Sequence, residues 1–131
     1  MTIGQLATRT GIGVETVRFY ERRGLLPQPP RPQHGFRQYT TEAVSRLTFI
    51  RRAKTLGFSL REIKELMSLR AQAGANCGVA KRHAETKLAE IDARIAELHR
   101  VKQHLLELAG SCANRASPTE CPILGKLEGD T

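Results

Sequence analysis

Apolar and polar positions follow their most regular pattern over residues 77–108, where the spacing predicts one long helix. From Val79 onward this stretch contains no glycine or proline, and its apolar residues recur at alternating four- and three-residue steps, as in a coiled-coil seam. At about 1.5 Å per residue the helix is roughly 45 Å long, which is too long for the rest of a 131-residue chain to cover. We therefore expect the seam to pack against a second copy of the chain in a homodimer. Lys102 interrupts one seam position, and the predicted seam residues are Ala84, Leu88, Ile91, Ile95, Leu98 and Leu105.

Two short helices joined by a tight turn are predicted at the start of the chain. Thr2 and Gln5 match a capping box at the beginning of the first helix, and Gly11 ends that helix. The second helix covers residues 14–23 and ends at Gly24. Such a pair predicts a helix-turn-helix, whose second helix enters the major groove of DNA. Donors on that helix that suit phosphates and base edges include Thr16, Arg18 and Tyr20.

A basic and aromatic segment follows a proline-containing loop at residues 26–35. The four residues Phe36-Arg37-Gln38-Tyr39 have strand character. After a helix-turn-helix, such a strand predicts a wing that lies against the DNA backbone or in the minor groove, with Arg37 and Tyr39 as contacts. Tyr39 is equally well explained as a core residue, because its ring is apolar and only its tip is polar.

Two further helices complete the first half of the chain. Thr41 is the predicted cap of the third helix. Ser59 and Glu62 match a capping box that starts the fourth helix. The predicted core-facing residues of the third helix are Val44, Leu47, Ile50, Ala53 and Leu56.

Glycine and proline set the predicted boundaries in the second half. A linker is expected at residues 70–76 with a bend at Gly74, and Gly110 is expected to end the long helix. A loop at residues 111–120 then precedes a last short helix at residues 122–127, which begins with Pro122. The predicted fold is therefore mainly α, with a DNA-binding domain at residues 1–70, a linker and dimerisation helix at 71–109, and a loop and short helix at 110–131.

Charge is concentrated at one end of the sequence. Residues 1–70 contain 13 of the 21 Lys and Arg residues but only 5 of the 13 acidic residues, whereas residues 71–131 have no net charge. The basic half predicts an anionic partner, with nucleic acid as the first candidate. No apolar run is long enough to span a membrane and no signal peptide is visible, so we expect a cytoplasmic protein without membrane contact.

Three cysteines are expected to remain reduced in the cytoplasm, and their odd number argues against a disulfide framework. Metal binding, redox sensing and ordinary burial are the three explanations that residue type allows. No nucleophile–base pair, phosphate-binding glycine loop or catalytic carboxylate pair is found, so we do not expect an enzyme.

The sequence resembles the MerR family of transcriptional regulators over nearly its whole length. The resemblance implies a winged helix-turn-helix and a homodimer built on an antiparallel coiled coil. It also implies that Thr16, Arg18, Tyr20, Arg37 and Tyr39 contact promoter DNA, which the effector-bound protein distorts so that RNA polymerase can engage it. The segments that carry the resemblance are Ile3-Gly4-Gln5-Leu6-Ala7, Val14-Glu15-Thr16-Val17-Arg18-Phe19-Tyr20-Glu21-Arg22-Arg23-Gly24-Leu25-Leu26, Phe36-Arg37-Gln38-Tyr39 and Leu56-Gly57-Phe58-Ser59-Leu60-Arg61-Glu62-Ile63.

The cysteines resemble those of the metal-responsive members of this family. Cys112, eight intervening residues and then Cys121-Pro122 are most similar to the mercury sensors, and lead sensors share all three cysteine positions. In an antiparallel dimer with its two-fold axis near Arg94, Cys77 of one chain is expected beside the partner subunit's Cys112, and Cys121 completes a three-thiolate site. Soft thiolates suit Hg(II), with Pb(II), Cd(II) or Zn(II) as alternatives. A Cys112–Cys121 disulfide switch remains open.

Overall fold

Helices account for all the regular structure in the described part of the chain. The computed structural model describes residues 1–72, 74, 76–112 and 121–129, and it confirms the predicted mainly α fold. The chain divides into two compact units, Met1–Lys81 and Arg82–Thr131. None of the described helices combines the length and the apolar character needed to cross a membrane. The six helices in these residues are α1 (Ile3–Thr10), α2 (Val14–Arg22), α3 (Thr41–Thr55), α4 (Leu60–Ala71), α5 (Cys77–Ser111) and α6 (Pro122–Leu127).

Both predicted capping boxes are present. The hydroxyl of Thr2 accepts a hydrogen bond from the backbone N–H of Gln5 at 3.2 Å, and the Gln5 side chain accepts one from the N–H of Thr2 at 2.8 Å. Ser59 and Glu62 make the same pair of bonds at the start of α4. Gly11 ends α1 with a φ of 73°, which is a left-handed conformation that glycine adopts without steric cost.

The core of the first unit joins its four helices. Arg51 on α3 adds a long-range bond, since its Nη1 donates to the carbonyl of Thr10 at 2.6 Å and so ties α3 to the end of α1. Leu56 was predicted to face the core, but that prediction is wrong because its side chain is 64% exposed. Leu56 still has helical backbone geometry, but it follows the buried Leu47 by nine residues, which places it about 180° around the helix from that side chain. The fully buried side chains are Leu6, Val17, Leu25, Leu47, Ile50 and Ile63.

The predicted wing strand is not present among the described residues. Residues 36–40 have neither helical nor strand structure. The N–H of Tyr39 donates to the carbonyl of Met1 at 2.7 Å, and the amino group of Met1 donates back to the carbonyl of Tyr39 at 3.0 Å. A single pair of residues fixes the position of this segment but does not make a strand ladder.

Several helix ends differ from the prediction. The cap of α3 is Thr40 rather than Thr41, and its side chain makes no capping hydrogen bond. The fourth helix extends through Ala71, into the predicted linker. The long helix continues through Gly110 to Ser111, because a glycine costs a helix only about 1 kcal/mol and the preceding turns are uninterrupted.

The long helix presents its apolar seam to solvent in the single chain. None of the 35 residues of α5 is buried. Leu98 of the predicted seam is 61% exposed. The short helix α6 has the bounds predicted from Pro122, which occupies its first turn. Residues 113–120 of the predicted loop lie outside the described residues.

Candidate nucleic-acid interface and cysteine positions

The second helix of the helix-turn-helix exposes two of its three predicted DNA-contacting residues. Thr16 and Arg18 are both exposed on α2. A guanidinium nitrogen of Arg18 lies 3.3 Å from a carboxylate oxygen of Glu15, one turn earlier on the same helix. Exposed pairs of this kind contribute at most about 1 kcal/mol. Arg18 is therefore free to exchange this partner for a phosphate or a base edge.

Tyr20 and Tyr39 are buried in the core. Their side chains are 5% and 6% exposed, which leaves little surface for a nucleic acid. The hydroxyl of Tyr39 donates to the Oε2 of Glu21 at 2.9 Å and so links the segment after the loop to α2. Burial, together with this hydrogen bond, raises the pKa of Tyr39 to about 12, and burial also raises the pKa of Tyr20. Both tyrosines are therefore core residues, and Tyr39 also connects its own segment to α2.

Arg37 is held in place beside the helix-turn-helix. Its Nε donates to the carbonyl of Pro29 at 3.0 Å, which leaves the two terminal nitrogens of the guanidinium for other partners. Arg37 and Arg18 border the same small cleft, of about 140 Å³. The positive charges of both side chains lower the pKa of Tyr39, which partly offsets the effect of burial. Glu21 lines the cleft as well, and its carboxylate accepts the Tyr39 hydrogen bond. Two guanidinium groups at one cleft suit a phosphate.

Phe19 is a residue of α2 that the sequence analysis did not single out. Its side chain is 37% exposed, and the guanidinium carbon of Arg23 lies 5.7 Å from the centre of its ring. The sequence contains a signal for this exposure, because Phe19 follows the core residue Val17 by two positions. Two positions on a helix with 3.6 residues per turn correspond to about 200°, close to the opposite face.

The three cysteines lie at helix ends. Cys77 is the first residue of α5 and is exposed, Cys112 follows the last residue of that helix, and Cys121 is the N-cap of α6. All three are free thiols, and the last two are half-buried. Within residues 1–72, 74, 76–112 and 121–129, no three His, Cys, Asp or Glu side chains are close enough together to hold a metal ion. The described residues of one chain thus do not bring the three thiols together.

Two family models match the chain. The model described as "MerR HTH family regulatory protein" matches residues 1–69, and the model described as "MerR, DNA binding" matches residues 44–108. The mercuric resistance operon regulatory protein of Serratia marcescens is 41% identical over 130 residues, which cover 99% of this chain and 89% of that protein. The chain belongs to the MerR family. This membership confirms the resemblance found in the sequence, and it gives the helix-turn-helix of α1 and α2 its identity as the MerR DNA-binding motif.

Two solved MerR-family structures have the same fold and contain different metals. The transcription regulator PbrR691 from Ralstonia metallidurans CH34, solved with lead(II), has a TM-score of 0.87 and 36% identity over 97% of this chain and 98% of that one. The regulator MerR from Bacillus megaterium MB1, solved with mercury(II), has a TM-score of 0.77 and 34% identity over 98% of this chain and 99% of that one. Both similarities extend over nearly the whole length of each chain.

Proposed function

We propose that this MerR-family protein is a mercury(II)-responsive regulator, without enzymatic activity, that binds promoter DNA as a homodimer and activates transcription by RNA polymerase. The observation that supports this most strongly is the position of the cysteines. Three free thiols stand at the ends of α5 and at the start of α6, in a chain that is 41% identical to a mercuric resistance regulator. The proposal keeps the predicted division into a DNA-binding part (residues 1–70), a dimerisation part (71–109) and a metal-binding part (110–131).

Basic side chains on the outer surface of the first unit support DNA binding. Thr16 and Arg18 are exposed on α2, and Arg37 borders the same cleft as Arg18. We propose that these three residues contact DNA directly, with both arginines on phosphates. Tyr20 and Tyr39 are buried, so in this proposal they position α2 and the Arg37 segment rather than contact bases.

The exposed seam of α5 supports dimerisation. The predicted seam residues Leu88, Ile95 and Leu105 are all exposed in the single chain. An apolar stripe along a 35-residue helix would be costly to leave in water, and a second copy of the same helix provides a matching stripe. We propose an antiparallel pair, because that arrangement places the beginning of each helix beside the end of the other.

The length of α5 supports a metal site shared between two chains. Thirty-five helical residues extend for about 50 Å, so Cys77 and Cys112 of one chain lie at opposite ends of the helix and cannot bind the same ion. In an antiparallel dimer centred near Arg94 and Ile95, Cys77 lies beside the partner subunit's Cys112. Cys121, at the start of α6, would add the third thiolate. Three thiolates form a soft donor set that suits Hg(II), and binding releases protons from the thiols.

A mixed-dimer experiment tests the shared site. Cys77→Ser and Cys112→Ser homodimers each lack a complete site, so we expect both to lose tight Hg(II) binding. A heterodimer of the two variants retains one intact site if each site takes Cys77 from one chain and Cys112 from the other. We therefore expect co-refolding to restore about one Hg(II) per heterodimer, measured from thiolate-to-metal absorbance against excess competing thiol.

The matched control combines Cys112→Ser with Cys121→Ser. Both of these variants lose a thiol from the same side of the shared site, so no heterodimer of the two has a complete site, and binding should stay lost. Restoration in this control, or no restoration in the first mixture, would contradict a site built from Cys77 of one chain and two cysteines of the other.

Lead(II) is the second candidate effector. The structure of the lead-bound regulator PbrR691 has the higher of the two TM-scores, 0.87 against 0.77. The same three thiolates would suit Pb(II), so the fold and the DNA-binding role are unchanged by this alternative. Competition among Hg(II), Pb(II), Cd(II) and Zn(II) for the reduced protein separates the candidates. We expect Hg(II) to displace the other three ions, and the reverse order would assign the protein to another metal.

A further inference from the structure

Phe19 is an apolar side chain on a helix face that is otherwise polar. Thr16 lies three residues before it and Arg23 four residues after it, so the three residues share one face of α2. Val17, two residues before Phe19 and about 200° around the helix from it, is buried, and the buried Tyr20 borders the face that carries Phe19. Phe19 thus lies on the outer surface of the helix that, in a helix-turn-helix, enters the major groove.

The Phe19 ring has contacts with two neighbouring side chains. The ring of Tyr20 lies 5.9 Å away between centroids and is tilted by 53°, which ties Phe19 to the core. On the solvent side, the guanidinium carbon of Arg23 lies 5.7 Å from the ring centre, within the range of a cation–π interaction. An aromatic ring held in this way loses little conformational entropy when it binds.

The chemistry of the major groove identifies the group that such a ring would contact. Phosphates and most base edges present hydrogen-bonding atoms or charge, to which a phenyl ring offers no partner. The 5-methyl group of thymine is the apolar exception, and contact with it distinguishes thymine from the other bases. We propose that Phe19 contacts a thymine methyl group in each half of the binding site and so contributes to sequence specificity. This inference rests on the proposed DNA-binding function.

Replacement of thymine by deoxyuridine tests the contact, because it removes the methyl group and leaves the pairing unchanged. The probe is a duplex that the full-length protein selects from a random-sequence pool. In this duplex each thymine of one half-site is then replaced by deoxyuridine, one at a time. For the natural protein we expect one replacement to weaken binding about fourfold, which corresponds to roughly 0.8 kcal/mol for one buried CH₂ group. A dimer binds two half-sites, so the two losses multiply. Replacement of the sensitive thymine in both half-sites of a symmetric site should therefore weaken binding about fifteenfold.

Substitution of Phe19 should remove this dependence. Phe19→Ala should bind the selected duplex more weakly and bind the thymine and deoxyuridine versions equally well. Phe19→Leu keeps an apolar side chain and should retain part of the discrimination. Leu127→Ala is the control, because Leu127 is an exposed apolar residue of α6, outside the proposed DNA-binding part, and this variant should show the same single sensitive thymine as the natural protein.

The outcomes separate this inference from the proposed function. If a duplex is selected but no thymine is sensitive, or if Phe19→Ala retains the same sensitive thymine, the methyl contact is wrong while DNA binding stands. An equal loss of affinity for every duplex with Phe19→Ala would mean that Phe19 only supports the fold of α2. If the protein selects no duplex at moderate salt, both the proposed function and this inference fail.

Discussion

The hydroxyl of Tyr39 donates a hydrogen bond to Oε2 of Glu21 at 2.9 Å, across 18 positions of sequence. Glu21 belongs to α2, and Tyr39 belongs to the segment that also contains Arg37. The bond therefore fixes the distance between the two elements that carry the proposed phosphate contacts. The strength of this hydrogen bond can be measured without DNA, because the bond also contributes to the free energy of unfolding.

Tyr39→Phe removes this hydrogen bond and keeps the buried ring. We expect the free energy of unfolding to fall by about 1 to 2 kcal/mol, because hydrogen bonds to charged groups are stronger than neutral ones. Urea denaturation at pH 7 measures the change. Tyr20→Phe is the control, since the Tyr20 ring is equally buried but its hydroxyl has no hydrogen bond among the described residues, and it should cost less than half as much. Equal losses in the two variants would argue against the Tyr39–Glu21 bond.

The same bond predicts how stability depends on pH. Burial and the bond to Glu21 raise the pKa of Tyr39 from 10.0 in the unfolded chain to about 12 in the folded protein. A raised pKa stabilises the fold fully below pH 10, and this stabilisation is lost as the pH rises through 12. The difference in stability between the natural protein and Tyr39→Phe should therefore narrow over this interval. A constant difference from pH 9 to pH 12, measured by urea denaturation, would contradict the assignment.

Local interactions made several elements predictable from the sequence. A capping box needs only four consecutive residues, so Thr2 with Gln5 and Ser59 with Glu62 marked the starts of α1 and α4 without any knowledge of the fold. Pro122 identified the first turn of α6 for the same reason. The basic helix-turn-helix was predictable because both of its helices are short and a glycine, Gly11 or Gly24, follows each of them closely.

An interaction between distant residues explains why the predicted wing strand is wrong. Residues 36–39 have strand-forming side chains, but Tyr39 pairs with Met1 alone, and nothing in the local sequence indicates how long that pairing continues. The predicted end of α5 at Gly110 is wrong for a local reason, because one glycine costs a helix only about 1 kcal/mol and α5 continues through it. For Tyr39 the sequence left a wing contact and a core position equally open, and the structure shows its ring buried and its hydroxyl bonded to Glu21.

The cysteine site shows a different limit. The sequence identifies the three thiols and their spacing, which are enough to propose a soft metal. Cys77 and Cys112 stand at the two ends of α5, so the proposed site requires a second chain. Only the antiparallel pairing implied by family resemblance connects them, and neither the sequence nor a single chain can show this pairing directly.

Gly11 and Gly4 should respond in opposite ways to substitution by alanine. Gly11 has a φ of 73°, and a Cβ there would lie 3.1 Å from Nη1 of Arg51, so Gly11→Ala should lower the stability by about 1 to 2 kcal/mol. Gly4 lies within α1, where a Cβ would meet nothing closer than 3.9 Å. Gly4→Ala should raise the stability by roughly 0.5 to 1 kcal/mol, because alanine loses less entropy in a helix. Thermal unfolding measures both, and two changes of the same sign would show that backbone conformation does not decide the effect.

Ile95 lies at the centre of the proposed dimer seam, where its side chain is exposed in the single chain. Ile95→Glu places two carboxylates close to the two-fold axis, one from each subunit, and buries both charges in the seam. Because buried charges without partners are strongly unfavourable, we expect this variant to be monomeric at micromolar concentration in sedimentation velocity. Ala93→Glu is the control, because residue 93 lies on the opposite face of α5 from the seam, and this variant should remain dimeric. A dimeric Ile95→Glu would show that the subunits associate through another surface, and the shared three-thiolate site would then lose its geometric basis.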